Sequence, residues 1–372
     1  MESSLVEGDP MPVSDDELSS EAAAPPSVDP APTGASRFWG ILRFVVGFGV
    51  AGILIRMVIV NGGADLKEEW RHCEGAYLTL SFFMVGCGIA LSSYRWSRLL
   101  DVQDVHLSGH DAIRLSMIGQ FFNLAIPGGV GGDIIKMLYL KRQAGTHYPE
   151  AIMTTLFDRI LGLMGLFMVA IISVIVSWNF LMQAPPKIQY TVMFVGLISL
   201  AGAVGVTTAM YHEVFFRFGF VLALMARAKA ACPAKVWSIA RRVVRSVSLF
   251  RVHLNEVIIA LLISMSIHTL GALSVWSIGQ AFHAPKLRMQ DYFISTQVAN
   301  TISAVPITPG GLGGRDYILN AFFQAFGEGA KASVIPVVGS LLMVLWSLVG
   351  SLFFLFERAH LNVPLHSTAP QP

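Results

Sequence analysis

The chain has 372 residues, 54% of them hydrophobic and only 13% charged, with 34 Gly and a mean hydropathy of +0.60. A soluble domain carries roughly 25% charged residues, so a water-soluble enzyme of this size is excluded and a polytopic membrane protein is expected. Three cysteines, Cys73, Cys87 and Cys232, lie far apart and offer neither a disulfide framework nor a CxxC metal or redox site. The net charge of +2 conceals an asymmetry: residues 1–36 hold eight acids and no base, leaving +10 for the rest. A membrane body with surplus basic charge meets anionic headgroups favourably.

Residues 1–36 are rich in Pro, Ser, Ala and acids, a composition that cannot bury enough apolar surface to fold. A disordered tail is expected there, inert or used for docking. It lacks the basic start and apolar stretch of a cleaved signal peptide. Apolar runs long enough to span a bilayer, about 20 helical residues, follow near 38–61, 76–97, 150–180, 188–212, 256–283 and 332–357. Two further apolar segments, 112–143 and 289–327, are cut in the middle by Pro127-Gly128-Gly129-Val130-Gly131-Gly132 and Pro309-Gly310-Gly311-Leu312-Gly313-Gly314. The half-segments are too short to cross at about 1.5 Å per residue. They are expected to form re-entrant helical hairpins, whose bare backbone is tolerated at depth only inside protein or beside a wet cavity.

The stretch 213–255 carries eight Lys/Arg against one acid, Glu213, which places it in the cytoplasm as a basic amphipathic connector on the anionic inner leaflet. Arg95, Arg98, Lys141 and Arg142 then also fall inside, and the 62–75 loop, with four acids and two bases, falls outside. Both termini are expected in the cytoplasm, and 359–372 forms a short tail. The two broken motifs lie 182 residues apart, each preceded by a span and a short polar loop and followed by another span. They mark repeat units of about 76–180 and 256–357 in opposite orientations. The expected fold is therefore all-α, with about six full spans and two opposed re-entrant hairpins. Inverted repeats with broken helices near the midplane are a transporter design.

Each glycine-rich break allows positive φ and close backbone approach. The half-helix that follows begins with free N–H groups and the positive end of its dipole, a setting that suits phosphate or carboxylate. Lys136 lies one turn into the first such half-helix and Arg315 opens the second. The alternative is that these glycines only permit tight turns and helix packing. A dinucleotide site is excluded, because no βαβ unit surrounds either motif.

Asp133, Asp158, Arg159 and Asp316 sit inside apolar segments, where ionisable groups face a cavity or pair with one another. Neighbouring helix positions point about 100° apart, so Asp158 and Arg159 need partners on other helices. Asp133 is the first candidate for Arg159, as a structural ion pair orienting the hairpin or as a transport relay. Arg43 and Arg56 lie near the ends of their span and are expected to snorkel. Gln120 and Asn123 before the first break have counterparts in Gln297, Asn300 and Thr301 before the second. They serve to satisfy freed backbone groups or to line a headgroup path. His268, in mid-span, reads as hydrogen-bonded packing rather than a proton relay. The His106/His110 loop has no ligand register, so neither a metal nor any cofactor is expected, and no catalytic constellation stands out.

Tyr94-Arg95-Trp96-Ser97-Arg98-Leu99-Leu100, Asn123 to Lys136, Phe157-Asp158-Arg159 and Pro306 to Asp316 together resemble the lysylphosphatidylglycerol synthase/flippase transmembrane-domain family. The resemblance covers about 38–358. It implies a bacterial or archaeal integral membrane protein that moves lipids, such as aminoacylated phosphatidylglycerol, between leaflets of the cell membrane. Asp316 stands where the family usually shows Glu. With 372 residues no soluble aminoacyl-transferase domain is expected, which removes the reason to assume lysyl-phosphatidylglycerol as substrate. The function expected is a lipid flippase-like transporter for a phospholipid or a polyprenyl-phosphate-linked lipid, not an enzyme. The rival is a non-transporting accessory subunit of a lipid-modifying enzyme or glycosyltransferase; a third reading is an intramembrane lipid-modifying enzyme. Membrane lipids are the expected partners, with a modifying enzyme or a second copy of the chain compatible with the sequence and nucleic acid not expected. Without an ATP-binding P-loop, transport would be passive, ion-coupled or driven by a partner.

Overall fold

The structure, a computed structural model, describes residues 69–125, 131–144, 147–210, 250–284, 286–304, 313–329 and 331–360. The acidic tail, the apolar run 38–61, the basic connector 213–249 and the residues 126–130 and 305–312 of the two breaks lie outside the described residues. The first half comprises α1 (Gly75–Asp101), α2 (Gly109–Ala125), α3 (Gly131–Ala144), α4 (Tyr148–Val176), the single turn α5 (Trp178–Leu181) and α6 (Pro186–Met210). The second comprises α7 (Leu254–Ala281), α8 (Met289–Ser303), α9 (Gly314–Ala325) and α10 (Lys331–His360). The described residues are helical with no strand, and five helices are long and apolar enough to cross a membrane: 75–101, 148–176, 186–208, 254–281 and 331–354. The chain is an all-α, multi-pass membrane protein.

The four helices flanking the breaks are shorter: 17, 14, 15 and 12 residues for α2, α3, α8 and α9. Their starts are set locally. Asp111 and Asp291 occupy the third position of α2 and α8, and each closes its own first turn. Ser108 Oγ donates to Asp111 and accepts the Asp111 N–H, while the Arg288 N–H donates to Asp291 at 2.7 Å. The arms α2 and α3 pack as an antiparallel pair, Gly119 against Gly132 near the break and Leu115 with Leu140 further out. Arms α8 and α9 pack likewise, with the Tyr292 and Phe323 rings 5.5 Å apart.

Contacts between the halves obey an exchange. The opening spans α1 and α7 pack on each other, and each hairpin's first arm lies on the closing span of the other half, α2 on α10 and α8 on α4. One glycine permits the approach of α2 to α10, and another a contact between α7 and α8 within the second half. A Cβ at Gly350 of α10 would collide with the Met117 carbonyl of α2, and one at Gly279 of α7 would collide with the Tyr292 hydroxyl of α8. Small residues of this kind allow backbones to approach where lipid supplies no hydrophobic drive between helices.

Candidate functional site

The first hairpin is held by charges. Arg159 on α4 pairs through Nε with Asp133, in the first turn of α3, as the sequence suggests. One side of this pair is open: the side chains are 44% and 18% exposed. Asp158, the neighbouring residue, points elsewhere. It accepts a bidentate pair from Arg95 on α1, Nε to Oδ1 at 2.7 Å and Nη2 to Oδ2 at 3.0 Å. Arg95 Nη1 also donates to Ser264 Oγ on α7 at 2.6 Å. This network is sealed, with side-chain exposures of 7% and 12% for the pair. A planar guanidinium forked on a carboxylate is the geometry that best satisfies both desolvated ions.

Lys136, one turn into α3, rests its ammonium 4.6 Å from the centroid of the Trp96 ring. Trp96 is fully buried and donates from Nε1 to Thr155 Oγ1 at 3.2 Å. Asp133 lies one turn before Lys136 on α3 and Arg95 directly precedes Trp96 on α1, so the Arg159–Asp133 and Arg95–Asp158 pairs both lie beside Lys136. The cluster at the first break therefore holds three cations and two carboxylates among the described residues. Below it, Arg98 forks onto Glu256 of α7 at 2.6 and 3.0 Å. Asn123 Oδ1 accepts the Gly132 N–H at 2.8 Å, so it satisfies backbone freed by the break.

The second hairpin differs. Gly313 takes φ +81°, a left-handed conformation, and its N–H donates to Asp316 Oδ2 at 3.3 Å. Ser340 of α10 donates to the same oxygen at 2.6 Å. Arg315 meets no carboxylate on another helix among the described residues; its Nη1 contacts the Met343 sulfur at 3.1 Å. Gln297 donates to the His268 carbonyl at 3.2 Å, and His268 Nε2 lies 3.1 Å from the Gly162 carbonyl of α4, so His268 ties helices together. Gly131, Gly132 and Gly314 lie in the first turns of α3 and α9, and Asn300 lies one turn before the end of α8. Pro127, Gly128, Gly129, Pro309, Gly310 and Gly311 fall outside the described residues.

The structure brings Asp133, Lys136, Asp158 and Arg159 together around the first break, and Arg315 and Asp316 at the second. Sequence reasoning missed Arg95 as the partner of Asp158, because Tyr94-Arg95-Trp96 closes a span and reads as interfacial. A usable signal was present: with an offset of 180, Trp96-Ser97 matches Trp276-Ser277 and Asp111 matches Asp291. That register extends the repeat beyond the glycine motif and sets Arg95 opposite Val275, deeper in the span than its place near the end of 76–97 suggests. In the His106 loop, Asp111 serves the first turn of α2 and pairs with Arg114 at 2.8 Å.

Residues 40–353 match the family described as the lysylphosphatidylglycerol synthase transmembrane region. Two proteins of Methanothermobacter thermautotrophicus, each named UPF0104 membrane protein, are similar to the chain. They are 21% and 22% identical over 305 and 307 residues, covering 79% and 78% of this chain and 88% and 87% of their own lengths. With its two glycine-broken helical pairs and multi-pass body, the chain belongs to the lysylphosphatidylglycerol synthase transmembrane-region family.

Proposed function

We propose that this protein moves a phosphate-bearing lipid between the two leaflets of the cell membrane. The observation that carries the reading is the charge cluster at the first break. Arg95, Lys136 and Arg159 outnumber Asp133 and Asp158 around the start of α3, and the Arg159–Asp133 pair is open on one side. A surplus cation at the positive end of a half-helix suits a phosphodiester. In this reading both hairpins re-enter from opposite faces, with the connector 213–255 and both termini in the cytoplasm. The headgroup passes between the breaks, steadied by Lys136, Arg159 and Arg315, while the acyl chains stay in lipid. Binding residues then include Asp133 and Asp316 as the groups that position these cations.

Leaflet-resolved movement of fluorescent phospholipids in proteoliposomes tests this directly. Reconstituted protein is expected to make the inner-leaflet pool accessible to an impermeant quencher. Asp133→Ala/Arg159→Ala together should restore folding relative to either single change yet leave lipid movement low. If wild-type protein moves no lipid, the reading is wrong. The rival, an accessory subunit of a lipid-modifying enzyme or glycosyltransferase, then predicts that the same variants fold and hold the partner normally.

A further inference from the structure

Asp291, in the first turn of α8, is 1% exposed, and its Oδ1 is buried with no hydrogen-bond partner among the described residues. The other oxygen accepts one backbone N–H, that of Arg288 at 2.7 Å. Ser295, one turn on, gives its hydroxyl proton to the Asp291 backbone carbonyl at 2.6 Å and not to the carboxyl group. Neither nearby cation takes up the free oxygen. Lys286 Nζ donates to the Gly327 carbonyl at 2.9 Å, and Arg288 is exposed. The residues that follow Asp291 on the helix, Tyr292, Ile294 and Ser295, are buried as well.

The matching acid of the first half is housed differently. With the offset of 180, Asp111 corresponds to Asp291. Asp111 is partly exposed, accepts the Ser108 hydroxyl at 2.7 Å and pairs with Arg114 at 2.8 Å. The position corresponding to Arg114 is Ile294. One turn of the repeat therefore keeps its acid wet and ion-paired in the first half, and withholds both water and counter-charge in the second. A helix start and a single N–H offset only a small part of what an isolated carboxylate loses on leaving water. A neutral carboxyl group buried in the same place is far less costly, so this is a setting in which an acid takes up a proton.

Few other titratable groups surround this end of the second hairpin. On α4 there is none between Arg159 and its last residue, and α6 contributes Lys187 and Tyr190, both exposed. Just past α7, His283 Nε2 lies 3.5 Å from Glu74. Beyond α9, Glu328 is buried and accepts the Lys286 N–H at 2.8 Å. A metal cation needs about six oxygen ligands, and no three metal-ligating side chains gather among the described residues. A proton needs one oxygen. We propose that Asp291 is a proton-binding site: its carboxyl group is neutral while the start of α8 is buried and ionises when that turn opens to water, so that proton uptake closes the second hairpin. Closing moves one proton from water onto the carboxylate, and opening returns it. The exposed Lys286 and Arg288 mark a membrane surface within one turn of the site, the surface that the transport reading puts outside. The use made of the proton, as the ion coupled to lipid movement, rests on that reading; the site itself does not.

The test uses the full chain in lipid nanodiscs. The infrared difference between wild type and Asp291→Asn at about pH 7 should contain the carbonyl stretch of a neutral carboxylic acid, although a free Asp side chain is ionised there. A difference made only of carboxylate bands overturns the proposal. An acid that is protonated in the folded chain and ionised in the unfolded one stabilises the fold at low pH, and that stability is lost as pH rises through the folded value. The wild-type thermal midpoint should therefore fall by about 3 °C between about pH 5 and about pH 8, and Asp291→Asn should lose most of that slope. A flat wild-type profile overturns the proposal even if the variant does not fold. A slope that survives Asp291→Asn and disappears in His283→Gln or Glu328→Gln assigns the titration to that residue and overturns it too. In vesicles of phosphatidylglycerol and phosphatidylethanolamine carrying a fluorescent phospholipid, an imposed pH gradient should change the wild-type rate about threefold and leave Asp291→Asn unresponsive. Lipid movement indifferent to the gradient overturns the coupling. If no lipid moves while the neutral-acid band is present, the site stands and the transport reading fails.

Discussion

The two hairpins share a plan and differ in how their polar groups are satisfied. Around α3 the buried charges are matched across helices: Arg95 with Asp158 and Ser264, Arg159 with Asp133, Trp96 with Thr155, and Asn123 with the Gly132 N–H. Along α8 and α9, neutral and acidic oxygens lie buried without partners, and Arg315 faces a thioether. In lipid each unsatisfied group raises the free energy, so the first hairpin, with fewer such atoms among the described residues, is the more firmly fixed of the two. The contrast separates a hairpin whose buried charges are matched across helices from one with more unpartnered polar atoms.

The largest expected effect is on the sealed network. Arg95→Ala or Asp158→Ala leaves its partner's charge buried, at about 3–5 kcal/mol. The thermal midpoint of the purified protein in detergent should fall sharply for each, and Arg95→Met/Asp158→Leu should regain most of it. Single variants with unchanged midpoints would mean that the first hairpin is not held by this pair.

Next come the two glycine seats. Gly350→Ala drives a methyl into the Met117 backbone, and an overpacked site of this kind is destabilised by about 1–3 kcal/mol. Gly279→Ala should be milder, since it meets the far end of the Tyr292 side chain. Gly271→Ala, with nothing near its Cβ, serves as the control. An equal loss at Gly350 and Gly279 would erase the distinction between a rigid seat and a yielding one.

A smaller effect is expected at Asp133 and Arg159, whose side chains are partly exposed. Their coupling in a double-mutant cycle should be about 1 kcal/mol, at the low end for contacting residues. Additive single effects would show that the pair does not contribute to stability. The smallest effect sharpens the comparison most, because one substitution is made in both hairpins' surroundings. Thr155→Val strands the Trp96 N–H, at about 1–3 kcal/mol. Thr296→Val removes a hydroxyl that has no protein partner, and the midpoint should stay within about 0.5 kcal/mol of wild type. A Thr296→Val loss as large as that of Thr155→Val would mean that the second hairpin is satisfied after all.

Much of the scaffold was legible before any coordinates. The spans near 76–97, 150–180, 188–212, 256–283 and 332–357 each correspond to a helix of spanning length, and the helices on either side of each break are short. Arg159 with Asp133 could be anticipated because both are charges at depth on elements joined by a three-residue link. Arg95 with Asp158 could not. The two lie 63 residues apart, and which face of α1 turns toward α4 depends on how both helices pack against α7. The polar residues before the second break could be named from sequence, but not that Thr296 forgoes its own helix carbonyl.

The amino-acid order alone determined what local physics controls. Apolar length and scarcity of charge dictate helices that cross lipid, because no other open structure satisfies the backbone there. Proline and clustered glycine dictate where two of those helices break. The tertiary structure alone decided which buried groups meet. A helix presents every direction within one turn, so partner choice rests on the rotation and crossing of whole helices. Here the exchange of hairpins between halves sets that rotation, matching the charges of the first hairpin and leaving more polar atoms of the second without partners among the described residues.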